Sequence, residues 1–157
     1  MEEMYPSFYG ISILEIIVLI VCLVMLYVPL VFYLRTIQNT LLEVSVEHRR
    51  MKPNLVWLQL IPFFGFIWQF IIVVKVADSL RIQFYYSKIS LEEYQPGQGL
   101  GIGACIMFCV SIIPLIGFFT FFAAVVCWIL YWIKINNYRK KLKESNLFDI
   151  GNNLIEY

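Results

Sequence analysis

The chain has 157 residues, 61% hydrophobic and 15% charged, with a net charge of +1 and a mean hydropathy of +0.75. Soluble domains are about 45–50% apolar and about 25% charged, and one of this size leaves about 30% of its unfolded surface in water, so this much apolar surface calls for lipid. The near-neutral total excludes a whole-chain attraction to nucleic acid. All four cysteines (Cys22, Cys105, Cys109 and Cys127) lie in apolar runs, where thiols pack as small hydrophobes rather than build a disulfide framework.

Residues 1–15 carry Glu2, Glu3 and Glu15 but no Lys or Arg. That is the reverse of a secretory leader, and it predicts that the first apolar helix is retained. The first span is expected over about 12–34. Its uncharged stretch, Ile16 to Leu34, gives roughly 28 Å of helix against a hydrocarbon core of roughly 30 Å. Pro29 is expected to kink this helix rather than end it. Over 36–48 the pattern becomes amphipathic, with Ile37, Leu41 and Val44 at helical spacing among Gln38, Asn39, Glu43 and Glu47. This predicts a helix lying at a membrane surface. The basic cluster His48-Arg49-Arg50-Met51-Lys52 then meets Pro53, a helix boundary.

A second span is expected over 55–77, followed by a charged, aromatic and finally Pro/Gly-containing loop over 78–99. The third run, 100–133, is uncharged throughout and would measure about 51 Å as one helix. Pro114 and Gly117 must therefore kink it or fold it into a hairpin. Ile61-Pro62-Phe63-Phe64-Gly65-Phe66 and Ile113-Pro114-Leu115-Ile116-Gly117-Phe118 agree at four of six positions, the pattern expected if one break occurs in two copies of a unit. The tail, 134–157, opens on a basic cluster beside Trp128, Tyr131, Trp132 and Tyr138, an interfacial anchor of the aromatic-belt type.

These elements predict a single all-α domain, 1–157: an integral membrane bundle of three long broken spans, with four or five helices and hairpins as the competing arrangement. Lys and Arg number none in 1–15, four in 35–53, three in 75–99 and five in 134–143. This count predicts a multi-pass protein of the cell (inner) membrane with its N-terminus outside and its C-terminus cytoplasmic. Three crossings are favoured because a re-entrant turn at Pro62 would bare backbone polar groups to lipid. That arrangement puts the Glu92 to Gln98 loop outside.

Candidate polar or interface residues follow from chemistry. Glu15, at the outer end of the first span, is an ionisable group at a membrane boundary. Gln59 and Gln69 lie deeper, where an amide needs an interhelical partner. Lys75, Asp78 and Arg81 share a helical stripe on which opposite charges can pair. Gly99 and Gly103 form G-x-x-x-G, which permits close helix approach. Cys105 and Cys109 share a helix face without a completing pair, and the single histidine, His48, sits among cations at an expected surface position, so no metal is expected. No nucleophile–base pair, P-loop, H-E-x-x-H or G-x-S-x-G is present, so neither an enzyme nor a cofactor is expected.

The run from Pro53 through Ile61-Pro62-x-x-Gly65-Phe66-x-Trp68 to Trp128-x-x-Tyr131-Trp132-x-Lys134 resembles uncharacterised small multi-pass bacterial membrane proteins over residues 53–140. The resemblance implies membrane residence and carries over no functional residue. The expected role is non-enzymatic: an accessory or scaffolding subunit of a membrane complex, its partners the lipid bilayer and other membrane subunits or itself. A small oligomeric channel or transporter is the alternative.

Overall fold

The computed structural model describes residues 13–61, 63–90, 93–113 and 116–155, so Pro62, Pro114 and Glu92 lie outside the described residues. Among these the chain is all-α, with no strand. The order is α1 (Ile13–Glu43), a 3-10 helix (Pro53–Leu60), α2 (Phe64–Tyr86), α3 (Gln98–Val110) and α4 (Gly117–Ile155). Two segments are long and apolar enough to cross a membrane, Ile13–Glu43 and Gly117–Phe148. The chain divides into two compact units, Met1–Tyr33 and Leu34–Tyr157.

In the first unit, α1 presents apolar side chains all round, from Ile13 and Leu14 to Phe32, and most are exposed. A stretch with no polar face is what lipid or a partner helix accepts and water does not. Pro29 sits inside the helix, which continues past it to Glu43.

The second unit is built on two hairpins closed at the repeated motif. In the first, the 3-10 helix folds against α2, with the Trp68 indole N–H donating 2.8 Å to the Leu55 carbonyl. In the second, α3 and α4 run antiparallel. Phe108 meets Phe121 edge to face, Met107 meets Cys127, and Gly101 lies against Tyr131. Val73 of α2 also packs on Gly101, which joins the two hairpins near their mouths.

The third run thus takes the hairpin form of its break, and the expected three-span bundle is not confirmed, two helices among the described residues being long and apolar enough to span. α3 has thirteen residues, and α2 acquires Lys75, Asp78 and Arg81 after its first eleven. Neither supplies the ~20 apolar residues of a span. The backbone objection to a hairpin is answered locally. Gly65 N–H donates 2.8 Å to Ile61 O, Gly117 N–H 2.6 Å to Ile113 O, and Ile112 and Ile113 N–H reach back to Cys109 and Val110. The Ser111 and Thr120 hydroxyls donate to the Phe108, Ile116 and Gly117 carbonyls. Among the described residues, these bonds take up part of the polar backbone at each tip, the groups that burial away from water requires to be paired.

The core of this unit lies toward the hairpin mouths. Ile37 and Leu41 of α1 and Val44 just after it are fully buried, as are Ile72, Val76, Leu80 and Phe84 of α2 and Tyr131, Ile135 and Leu142 of α4. Each such side chain contributes roughly 1.5–3 kcal/mol by leaving water. The stripe expected to lie on a membrane over 36–48 therefore meets protein, and α1 reaches Glu43 before turning. The basic tail continues α4 as helix, because Tyr131, Ile135, Tyr138 and Leu142 give it an inward apolar stripe. Likewise α2 runs on to Tyr86, shortening the expected loop.

Candidate functional site

The features that can meet a partner are a polar rim around the hairpin mouths and two bare hairpin tips. The rim is built on α2, where Ser79, Gln83 and Ser87 recur every four residues. Gln83 is 5% exposed, and its Oε1 accepts from the Ser45 backbone N–H at 3.0 Å and lies 2.8 Å from His48 Nδ1. An amide oxygen only accepts, so Nδ1 carries the proton. The His48 ring stacks on Tyr86 at 4.3 Å, and Gln83 Nε2 donates to Ser87 Oγ. One turn earlier, Ser79 Oγ accepts the Arg50 backbone N–H at 2.9 Å. The 44–51 loop is thereby fastened to α2 through its own backbone.

Arg49 turns back on α1. Its Nε donates 2.9 Å to Val44 O and its Nη2 3.1 Å to Leu42 O, placing a cation at the negative end of the helix. Arg50 and Lys52 remain exposed.

Tryptophans complete the rim. Trp132 Nε1 donates to Thr36 Oγ1 at 2.9 Å, and Trp57 Nε1 to Gln38 Oε1 at 3.1 Å, while Gln38 Nε2 reaches Asn54 Oδ1. An indole with an apolar body and a satisfied N–H is suited to the boundary between lipid and water. Asn146 Nδ2 ties α4 to the Glu43 carbonyl.

At the mouth of the second hairpin, Glu93 pairs with Lys134 and accepts the Gly97 N–H at 3.2 Å. The hydrogen bond from Lys134, then that from Gly97, hold the Glu93 carboxyl below its ordinary value of 4.5. A carboxylate with a depressed pKa ties the loop to α4 above its ordinary value, and the tie is lost as pH falls through the lowered one. Next to it, Lys134, Asn137, Tyr138, Lys140 and Lys141 line a shallow cleft of about 360 Å³ on α4.

The residues singled out from sequence are spread over this frame. Glu15 is exposed in the first turn of α1. Gln59 is half-buried on the 3-10 helix, its Oε1 buried without a hydrogen-bond partner among the described residues. Gln69 is half-buried on α2. No ion pair joins Lys75, Asp78 and Arg81 among the described residues. Lys75 is exposed, and the Arg81 guanidinium lies 4.8 Å from the centre of the Tyr94 ring. Gly99 and Gly103 face open space, and Gly101 between them makes the close approach, with side-chain atoms of Val73 2.6 Å from where its Cβ would lie. His48, expected at the surface, is half-buried in the Gln83 network. The structure thus brings together Gln83, Ser79, Ser45 and His48, of which sequence reasoning had singled out only His48.

The tips form the second feature. Phe63, Phe66, Ile67, Ile112, Phe118 and Phe119 are all exposed, Phe63 by 88% and Ile112 by 82%. Phe63 also holds a left-handed backbone, φ 62°. With ψ at −48° it lies outside the left-handed helical well, and such strain costs on the order of 1–3 kcal/mol. Among the described residues no three His, Cys, Asp or Glu side chains gather as metal ligands.

No protein-family model, curated protein or solved structure matches the chain.

Proposed function

We propose that the chain is an integral protein of the cell membrane that acts without catalysis, as an accessory or scaffolding subunit of a membrane complex. The observation that carries this reading is the division of surfaces. α1 from Ile13 to Phe32 and both hairpin tips are largely exposed and apolar, whereas the hydrogen bonds between elements and most of the cations gather toward the hairpin mouths. All twelve Lys and Arg residues lie at or after Arg35. In this reading α1 crosses the bilayer with its N-terminus outside, and the two hairpins dip in from the cytoplasmic face and return to it. Among the described residues the polar contacts tie one element to another, which favours a structural part over a conducting path. The α1 surface lined by Val24, Tyr27, Val28, Val31 and Phe32 is a shallow apolar groove of a kind that a partner helix fills.

Native-detergent purification with mass analysis tests the role. The expected result is a complex with an unlike membrane protein in fixed ratio, lost when Tyr27 and Val31 are both changed to Ala. A closed homo-oligomer whose ion or solute flux in liposomes disappears on changing Asp78 or Glu15 would overturn it in favour of a channel or transporter.

A further inference from the structure

Each hairpin has one arm too short to cross a bilayer, the 3-10 helix in one and α3 in the other, yet exposes phenylalanines at its tip, Phe63 and Phe66 in the first and Phe118 and Phe119 in the second. At about 2.0 Å per residue the eight-residue 3-10 helix reaches roughly 16 Å. The thirteen residues of α3 reach roughly 20 Å, against a hydrocarbon core of roughly 30 Å. With Pro53 and Gln98, where the two short helices begin, at the headgroup boundary, both tips end near the bilayer mid-plane. Both hairpins open toward the connection between α2 and α3, as the Val73–Gly101 contact and the Glu93–Lys134 pair at that end require.

Resting on the membrane reading above, we propose that the paired hairpins are a one-sided lipid wedge, which gives the protein a preference for membranes convex toward its basic face. The occupant of the exposed tip surface is the acyl chains of a single leaflet. Four helical segments enter that leaflet. At a diameter of roughly 10–12 Å with side chains, each takes roughly 80–110 Å², so together they add on the order of 350 Å² to one leaflet and little to the other. A helix that crosses completely, as α1 does in this reading, adds equally to both. Charge selects the same side. Residues 34–157 hold twelve basic and eight acidic side chains, a surplus of four (12 − 8), while residues 1–33 hold three acidic side chains and no basic ones. Anionic headgroups are therefore drawn to the leaflet the hairpins occupy. The left-handed Phe63 fits this use, because an outward aromatic in a strained turn persists when it has a role at that place.

The test uses the full chain reconstituted into small sonicated and large extruded vesicles of phosphatidylcholine and phosphatidylglycerol. Membrane residence is read by flotation, and orientation by tryptic access to Lys140 and Lys141. The wedge requires the C-terminal helix to face outward in small vesicles by about threefold or more over inward, and by close to equal amounts in large ones. Phe63→Gly, which suits the left-handed backbone and leaves the hairpin able to fold, should bring the small-vesicle ratio toward one, and further so with Phe118→Ser and Phe119→Ser. Floated protein with the same ratio in both vesicle sizes, or a size-dependent ratio unmoved by the tip substitutions, would overturn the wedge and leave membrane residence standing. Protein that fails to float with either vesicle would instead remove the membrane reading on which the wedge rests.

Discussion

Gly117→Ala and Gly65→Ala are each expected to destabilise the protein by about 3 kcal/mol, the upper part of the range for overpacking, because the obstacle is backbone rather than a movable side chain. A Cβ at Gly117 would lie 2.2 Å from the Ser111 carbonyl oxygen, and one at Gly65 would lie 2.2 Å from that of Gln59. In both hairpins the chain returns so closely over the sixth residue back that only a hydrogen fits. The same atoms meet in the same order at both sites, which makes the six-residue motif one structural device used twice. Gly99→Ala and Gly103→Ala are the controls. Nothing lies within 4 Å of either missing Cβ, so each should leave stability unchanged or raise it by up to about 1 kcal/mol through helix propensity. Thermal unfolding in detergent, read by far-ultraviolet circular dichroism, separates the two pairs. Equal melting temperatures for Gly117→Ala and Gly103→Ala would contradict the hairpin geometry.

Gln83→Ala should cost about 2–3 kcal/mol and release the 44–51 loop. The substitution removes an acceptor used by both the Ser45 N–H and His48 Nδ1, in a position only 5% exposed. Partners left unsatisfied cost more than the net worth of the bonds lost. Hydrogen exchange at the Ser45 amide is the local readout, and there the protection should fall together with the melting temperature. Gln83→Glu keeps the acceptor oxygens and should retain more of that protection than Ala. An Ala variant whose Ser45 amide stays as protected as in the parent would show that the loop is held by other means.

Much of this arrangement was legible in the chain. The helix class follows from apolar runs of suitable length, and the repeated Ile-Pro-x-x-Gly-Phe marked both turns at the correct residues. The direction of the chain after each turn was not legible. Whether a Pro-Gly break kinks a helix or reverses it depends on where the freed N–H and C=O groups go. The Ser111 and Thr120 hydroxyls that take up part of that duty look like ordinary small polar residues in an apolar run. Period alone also failed to say what covers an apolar stripe. Ile37, Leu41 and Val44 look the same whether lipid or protein lies over them, and here protein does. The stripe Tyr131, Ile135, Tyr138 and Leu142 was present in the sequence but was overshadowed by the lysines between its members. Among polar groups, charge drew attention to Lys75, Asp78 and Arg81, which do not pair with one another. The neutral Ser79 and Gln83, at the i, i+4 spacing of one helix face, carry the network.

In the proposed arrangement both hairpins leave the membrane on the face they enter, which places the connection between α2 and α3 with the basic segments. Labelling of Gln95→Cys by a membrane-impermeant maleimide tests this most directly, in a background with Cys22, Cys105, Cys109 and Cys127 replaced, all four being free thiols. Gln95 is exposed, so access depends on the side of the membrane alone. Protection in intact cells, with full labelling in inside-out vesicles, is the expected result. Labelling at Gln95 in intact cells would contradict it, and would restore a third crossing between Leu55 and Ala77.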